Sequence, residues 1–154
     1  MERSVKDHTV RRVTPADLDL VAPLFDSYRQ FYGRPGDRRA ARGFLRERMS
    51  QGESVIFLAE AGAGDAVGFA QLYPTFSSLS LARVLILNDL FVRPDHRTRG
   101  VGSSLLAACS DYARSQKAAR LTLSTAHDNH AAQALYEARG WTRDNQFVVY
   151  NLAL

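Results

Sequence analysis

Asp89-Leu90-Phe91-Val92-Arg93-Pro94-Asp95-His96-Arg97-Thr98-Arg99-Gly100-Val101-Gly102-Ser103-Ser104 decides how the rest of this 154-residue chain is read. The stretch begins as the end of an apolar strand, Arg83–Val92, crosses a short charged loop and opens a helix on two glycines. The first amides of a helix have no intrahelical partners and sit at the positive end of its dipole. Gly100 and Gly102 remove side chains that would hold an anion away from those amides, and Arg97 and Arg99 add positive charge beside them. These residue types describe a pyrophosphate cradle. A tight turn with close helix–sheet packing uses the same two glycines, so the spacing alone leaves both readings open. A nucleoside-triphosphate loop needs Lys-Ser/Thr after Gly102, and a dinucleotide fingerprint needs a glycine where Leu105 stands. Both are poor fits.

Outward from this stretch the pattern is regular. Helical periodicity runs from Gly100 to about Gln116, with Val101, Leu105, Ala108, Cys109 and Tyr112 on one face. Upstream, His8–Val13 reads as a strand, and Thr14-Pro15-Ala16-Asp17 is a helix start with an acidic residue three after the cap. Leu18, Val21, Phe25, Tyr28 and Tyr32 carry an apolar stripe to about Phe31, with Pro23 expected to kink it. A second helix is predicted over Arg38–Ser50, then strands over Ser54–Glu60 and Val67–Tyr73 joined by a Gly62–Asp65 turn. Downstream come a strand over Leu121–Ser124, a helix over His130–Arg139 and a last strand over Gln146–Leu152. Strands and helices in this order predict an α/β sandwich with a mixed sheet.

With 45% apolar and 23% charged residues the chain can bury a core, and its length fits a single domain, 1–154. No apolar run approaches the roughly 18 residues of a membrane span, and Met1 to Asp7 lacks the apolar region of an export signal. A cytoplasmic protein is expected. Cys109, the one cysteine, has no internal disulfide partner, and metal-ligand spacing is absent. Twenty basic against sixteen acidic residues give a net charge of +4, which suits an anionic partner. Arg34, Arg38, Arg39, Arg42, Arg46 and Arg48 form the densest cluster, with Phe44 the single aromatic residue among them, and read as a solvated face rather than a nucleic-acid platform.

Two motifs carry a resemblance. Arg97-Thr98-Arg99-Gly100-Val101-Gly102 matches the Arg/Gln-x-x-Gly-x-Gly/Ala signature of the GNAT superfamily of acetyl-CoA-dependent N-acetyltransferases. Asn129-His130-Ala131-Ala132-Gln133-Ala134-Leu135-Tyr136-Glu137-Ala138-Arg139-Gly140-Trp141 resembles its later motif, and the likeness runs from about Thr9 to Leu154. It implies a mixed, mostly antiparallel sheet of six to seven strands flanked by about four helices. It also implies a homodimer, acetyl-CoA as cosubstrate without a metal, and direct attack of an amine in a ternary complex. The implied cofactor site is Leu90, Phe91, Val92, Arg97, Thr98, Arg99, Gly100, Val101, Gly102, Ser103, Asn129 and Tyr136. Leu87-Asn88-Asp89-Leu90-Phe91-Val92 is most similar to the spermidine/spermine and histone/polyamine branch, with Asn88 where the spermidine/spermine enzymes have Glu. The acceptor is then a polyamine, another small amine or a protein lysine.

The resemblance implies that Tyr136 protonates the departing thiolate, a sensible role for a phenol that is neutral at pH 7. The same residue also reads as an aromatic on the buried face of its helix. Asp89 is read either as half of a structural salt bridge or as the carboxylate that attracts or deprotonates the amine. Strand geometry sends Asn88 and Asp89 to opposite faces unless a bulge intervenes, and the expectation is Asp89 toward the channel and Asn88 into the packing. Cys109 reads as packing, and His96, His127 and His130 as loop residues. Because an amide at position 88 is no base, a non-catalytic acetyl-CoA-binding regulatory domain stays open as the alternative.

Overall fold

The helix start at Thr14 forms as its residues require. Asp17 accepts from the Thr14 amide at 2.7 Å and from its hydroxyl at 3.2 Å, closing a short 3₁₀ turn over Pro15–Asp17. The computed structural model describes residues 7–62 and 64–154. Residues 1–6, on which the absence of an export signal was read, and Ala63 within the expected turn lie outside the described residues. The chain divides into two units, one ending at Leu123 and the other spanning Ser124–Leu154.

The first unit is one sheet with helices on both faces. Its strands are β1 (Thr9–Arg12), β2 (Val55–Glu60), β3 (Ala66–Ser77), β4 (Ala82–Val92) and β5 (Arg120–Thr122), in the order β1-β2-β3-β4-β5. The first four are antiparallel neighbours, and β5 lies parallel to β4. Helices α1 (Leu18–Phe31) and α2 (Arg38–Ser50) bury Leu18, Val21, Leu24, Phe25 and Leu45 against Ile56, Leu58, Phe69 and Phe91 on one face. Each such side chain contributes about 1.5–3 kcal/mol on burial. Helix α3 (Val101–Ser115) takes the other face, where the Tyr112 ring meets Phe57 at 5.9 Å. Gly68 permits a close approach: a Cβ there would stand 2.9 Å from the Phe91 carbonyl oxygen and 3.2 Å from Val101 Cγ1. Helix α1 runs on through Pro23 to Phe31.

In the second unit, Asn129 caps α4 (His130–Ala138) by accepting from the Ala132 amide at 3.2 Å. Gly140, at φ +87°, ends the helix, with the Gly140 amide bonded to the Glu137 carbonyl and the Trp141 amide to that of Tyr136.

The mixed α/β class is as expected, with five strands among the described residues in place of six to seven. The last expected strand, Gln146–Leu152, is not formed. Phe147, Val148, Val149, Tyr150 and Leu152 are exposed there without strand structure. Alternation marks a segment fit for a sheet, but only a ladder of partners makes it a strand. The strand expected over Leu121–Ser124 shortens to Arg120–Thr122, its pairing with β4 ending at Ile86. Among the described residues no helix is long and apolar enough to cross a membrane.

Candidate functional site

The glycine loop has the backbone that its composition demands. After Pro94–His96, a short 3₁₀ turn, Thr98 and Gly100 take φ of +63° and +81°, and Gly100 is the N-cap of α3 without a side-chain cap. No acidic residue occupies the first turn, so the amides of Val101, Gly102 and Ser103 keep their positive end uncompensated. A Cβ at Gly100 would meet nothing within 4 Å, so backbone conformation and not crowding calls for glycine there. Arg99 is exposed. Arg97 folds back: its Nε donates to the Val92 carbonyl at 3.0 Å, and its guanidinium lies 5.4 Å from the Phe31 ring centroid and 5.8 Å from that of Phe91.

Leu90, Phe91 and Val92 pair with Ala70, Phe69 and Gly68 of β3. On its other side β4 is paired with β5 only over Val84, Leu85 and Ile86. Beyond Ile86 this edge of β4 has no strand partner among the described residues. An open strand edge beside free helix amides can take up an extended amide-bearing chain and the phosphates attached to it.

A bulge lies at the start of that open edge. Gln71 pairs with Asp89, but Leu72 pairs with Leu87, which leaves Asn88 as the extra residue of β4. The bulge exposes Asn88 and buries Asp89, whose exposure is only 3%. This reverses the expected arrangement of Asp89 toward a channel and Asn88 into the packing. Nor does Asp89 form a salt bridge with any described residue; its partners are neutral. Gln71 Nε2 donates at 2.5 Å and Asn88 Nδ2 at 3.0 Å, while the nearby Tyr28 hydroxyl donates to the Asn88 carbonyl at 3.4 Å and also favours the charged carboxylate. Burial pushes the Asp89 carboxyl above its usual range, and these hydrogen bonds pull the other way. Burial and the nearby Asp89 charge raise both Tyr28 and Tyr73, keeping the two phenols neutral.

The sequence does not announce Ser54, Gln71, Tyr28 and Tyr73 as the set of groups around Asp89. One signal was available: Gln71 sits on the parity of Val67 and Phe69 in the apolar first half of β3, where a buried amide needs partners.

The remaining candidates fall as follows. Asn129 spends its side-chain oxygen on capping α4. Tyr136 is half-buried, its ring 5.9 Å from that of Trp141. Cys109 is fully buried and its thiol is pushed up to about 12 by burial, the behaviour of a packing residue. His127 and His130 are exposed. In the arginine cluster, Arg42 pairs with Asp19 and Arg48 with Glu47 and Glu53, while Arg34, Arg38, Arg39 and Arg46 are exposed.

The model of the acetyltransferase (GNAT) family matches residues 21–141. An uncharacterized N-acetyltransferase, YhfO, of Bacillus subtilis (strain 168) is 48% identical over 143 residues, covering 93% of this chain and 95% of the relative. An aminoglycoside N(6')-acetyltransferase type 1 of Stenotrophomonas maltophilia is 27% identical, covering 95% of this chain and 94% of its own. The crystal structure of a "probable acetyltransferase" superposes with a TM-score of 0.90 at 44% identity, over 95% of this chain and 97% of the other.

Proposed function

The chain belongs to the GNAT acetyltransferase family and is an acetyl-CoA-dependent N-acetyltransferase, and from that premise we propose that it acetylates a small cationic amine by direct attack in a ternary complex. One observation carries the reading. An uncapped helix N-terminus at Gly100 follows, across one short loop, on a strand whose edge is unpaired beyond Ile86 among the described residues, which suits a phosphate group joined to an extended chain. The family match crosses the boundary between the two units, which supports one acetyltransferase domain over 1–154.

When bound, acetyl-CoA supplies an acetyl group activated as a thioester. In this proposal the amides of Val101, Gly102 and Ser103, with Arg97, Thr98, Arg99 and Gly100 around them, hold the pyrophosphate. Backbone groups of Leu90, Phe91 and Val92 align the chain and polarise the carbonyl. The amine nitrogen bonds to the acetyl carbon as the carbon–sulfur bond breaks. Tyr136 gives its proton to the leaving sulfur, and Asn129 fixes the start of the helix that carries Tyr136. A protonated amine is no nucleophile, so its proton must leave first. Asp89 is the acceptor, reached through the Tyr28 hydroxyl or a water because the carboxylate is buried.

The aminoglycoside relative and the likeness to the polyamine branch both favour a substrate with several ammonium groups, and the Asp89 charge near the Tyr28 and Tyr73 phenols suits one. A homodimer belongs to the same proposal, supported by the exposed apolar run Phe147-Val148-Val149-Tyr150. An acceptor screen with acetyl-CoA, read by CoA release over polyamines, aminoglycosides, amino acids and lysine peptides, tests the whole reading. Release with a small polyamine or aminoglycoside is expected. CoA binding without release for any amine would instead support a regulatory acetyl-CoA-binding domain, the reading that exposed Asn88 favours. With the best acceptor, Tyr136→Phe lowers kcat on the order of 10²-fold and leaves KM for acetyl-CoA nearly unchanged. An unchanged kcat removes Tyr136 from the acid role.

A further inference from the structure

Gln71 is 0% exposed, a carboxamide sealed inside the sheet opposite the one residue that β4 turns inward at its bulge. Its two ends have different partners. The Ser54 hydroxyl donates to Gln71 Oε1 at 2.6 Å, and Gln71 Nε2 donates to Asp89 Oδ2. An ionised carboxylate admits only this orientation, because a flipped amide would set two acceptor oxygens against each other. The oxygen left over then faces the hydroxyl of Ser54. No cation pairs with Asp89 among the described residues, so neutral donors alone offset the cost of burying its charge.

We propose that Gln71, oriented by Ser54, is a positioning residue of the acetyl-transfer site that holds the Asp89 carboxylate in one rotamer as a hydrogen-bond acceptor, ready to take the proton of the acceptor amine. The proposal rests on the reading of Asp89 as proton acceptor. The other groups around the carboxylate are Tyr28 from α1, Tyr73 from β3 and Asn88 from β4 itself, all neutral. Arg48 of α2 acts on Tyr73, and Tyr32 of α1 on Tyr28. Asn88, the other amide donor, is exposed, whereas Gln71 donates to Asp89 from a fully buried side chain. Its loss destabilises the ionised form more than the neutral one, so the carboxyl must titrate at higher pH without it.

The test needs no acceptor. Protein labelled with ¹³C at aspartate Cγ is titrated by NMR, the Asp89 signal being assigned as the one missing in Asp89→Asn. Gln71→Met keeps the shape and removes the donor, and is expected to move the Asp89 midpoint up by about one pH unit or more. In the unaltered protein, the Gln71 side-chain amide protons are expected to titrate with the midpoint of the Asp89 carbon. That reading stands even if Gln71→Met fails to fold. An unmoved Asp89 midpoint in folded Gln71→Met, or Gln71 amide protons blind to that midpoint, overturns the proposal. The acid limb of kcat/KM, measured with the amine that releases most CoA, then separates the two layers. If it does not follow the Asp89 midpoint while the NMR coupling holds, Asp89 is not the proton acceptor, yet Gln71 still positions it.

Discussion

Asp17 and Asp89 are two carboxylates of the same unit held by opposite means. Asp17 stands at the β1 edge, where Arg11 clasps it with two nitrogens at 2.8 and 2.9 Å while also reaching Glu60 at 3.1 Å. That guanidinium, helped by the Thr14 amide, holds the Asp17 carboxyl well below the usual carboxylate range. Asp89 lies inside β4 with the Gln71 and Asn88 amides as donors and the Tyr28 phenol nearby, and burial lifts it instead. A cation partner makes a carboxylate inert; neutral donors keep it ordered yet still able to accept a proton. The pair separates a carboxylate that caps a turn from one that, in the proposed mechanism, takes up a proton.

The sharpest way to break this contrast is Asp89→Asn. With the best acceptor, kcat/KM for the amine falls by a factor on the order of 10²–10⁴, KM for acetyl-CoA is unchanged, and the defect shrinks as rising pH supplies free amine. Steady-state CoA release between about pH 6 and 9 measures it, and a variant as active as the parent would make Asp89 another Asp17. Tyr28→Phe acts next. Loss of one donor raises the Asp89 carboxyl further, and kcat/KM at neutral pH drops roughly tenfold while the acid limb moves to higher pH. A drop without that movement would assign Tyr28 to packing.

The smallest effect belongs to Asp17→Asn, which should cost about 1 kcal/mol of stability at pH 7 and leave kcat/KM untouched. The sign with pH follows from the depressed carboxyl. The stabilisation is fully present above the unfolded aspartate value of about 4 and is lost progressively as pH falls below it. Urea unfolding of parent and variant at pH 7 and in strong acid should therefore converge at the acid end. A constant gap would mean that the cap geometry, not the charge, supplies the stability.

How much of this was legible in the sequence depends on the reach of each interaction. The strand, loop and helix around Gly100 were readable because a left-handed turn and an uncapped helix start are local. So was the turn at Thr14, whose partners lie three residues apart. The inward residue of the Asn88-Asp89 pair was not, since a bulge reverses parity and nothing in the two side chains announces it. Gln71 could be seen as an oddity in an apolar strand, but its partner depends on the same register shift. The strand expected at Gln146–Leu152 failed for a nonlocal reason: its alternation describes a face, and a ladder must come from elsewhere.

Gly68 gives this arrangement its dimensional tolerance. A hydrogen atom in place of a methyl group sets how near α3 seats against β3 and β4, since a Cβ would stand 2.9 Å from the Phe91 carbonyl and press on Val101 at the very start of the helix. Val101 follows the glycine loop directly, so the gauge of that contact also sets the offset between the helix amides and the end of β4. A single methyl at residue 68 works like a shim under one end of a beam. It leaves every residue of the loop in the sequence and shifts where they stand.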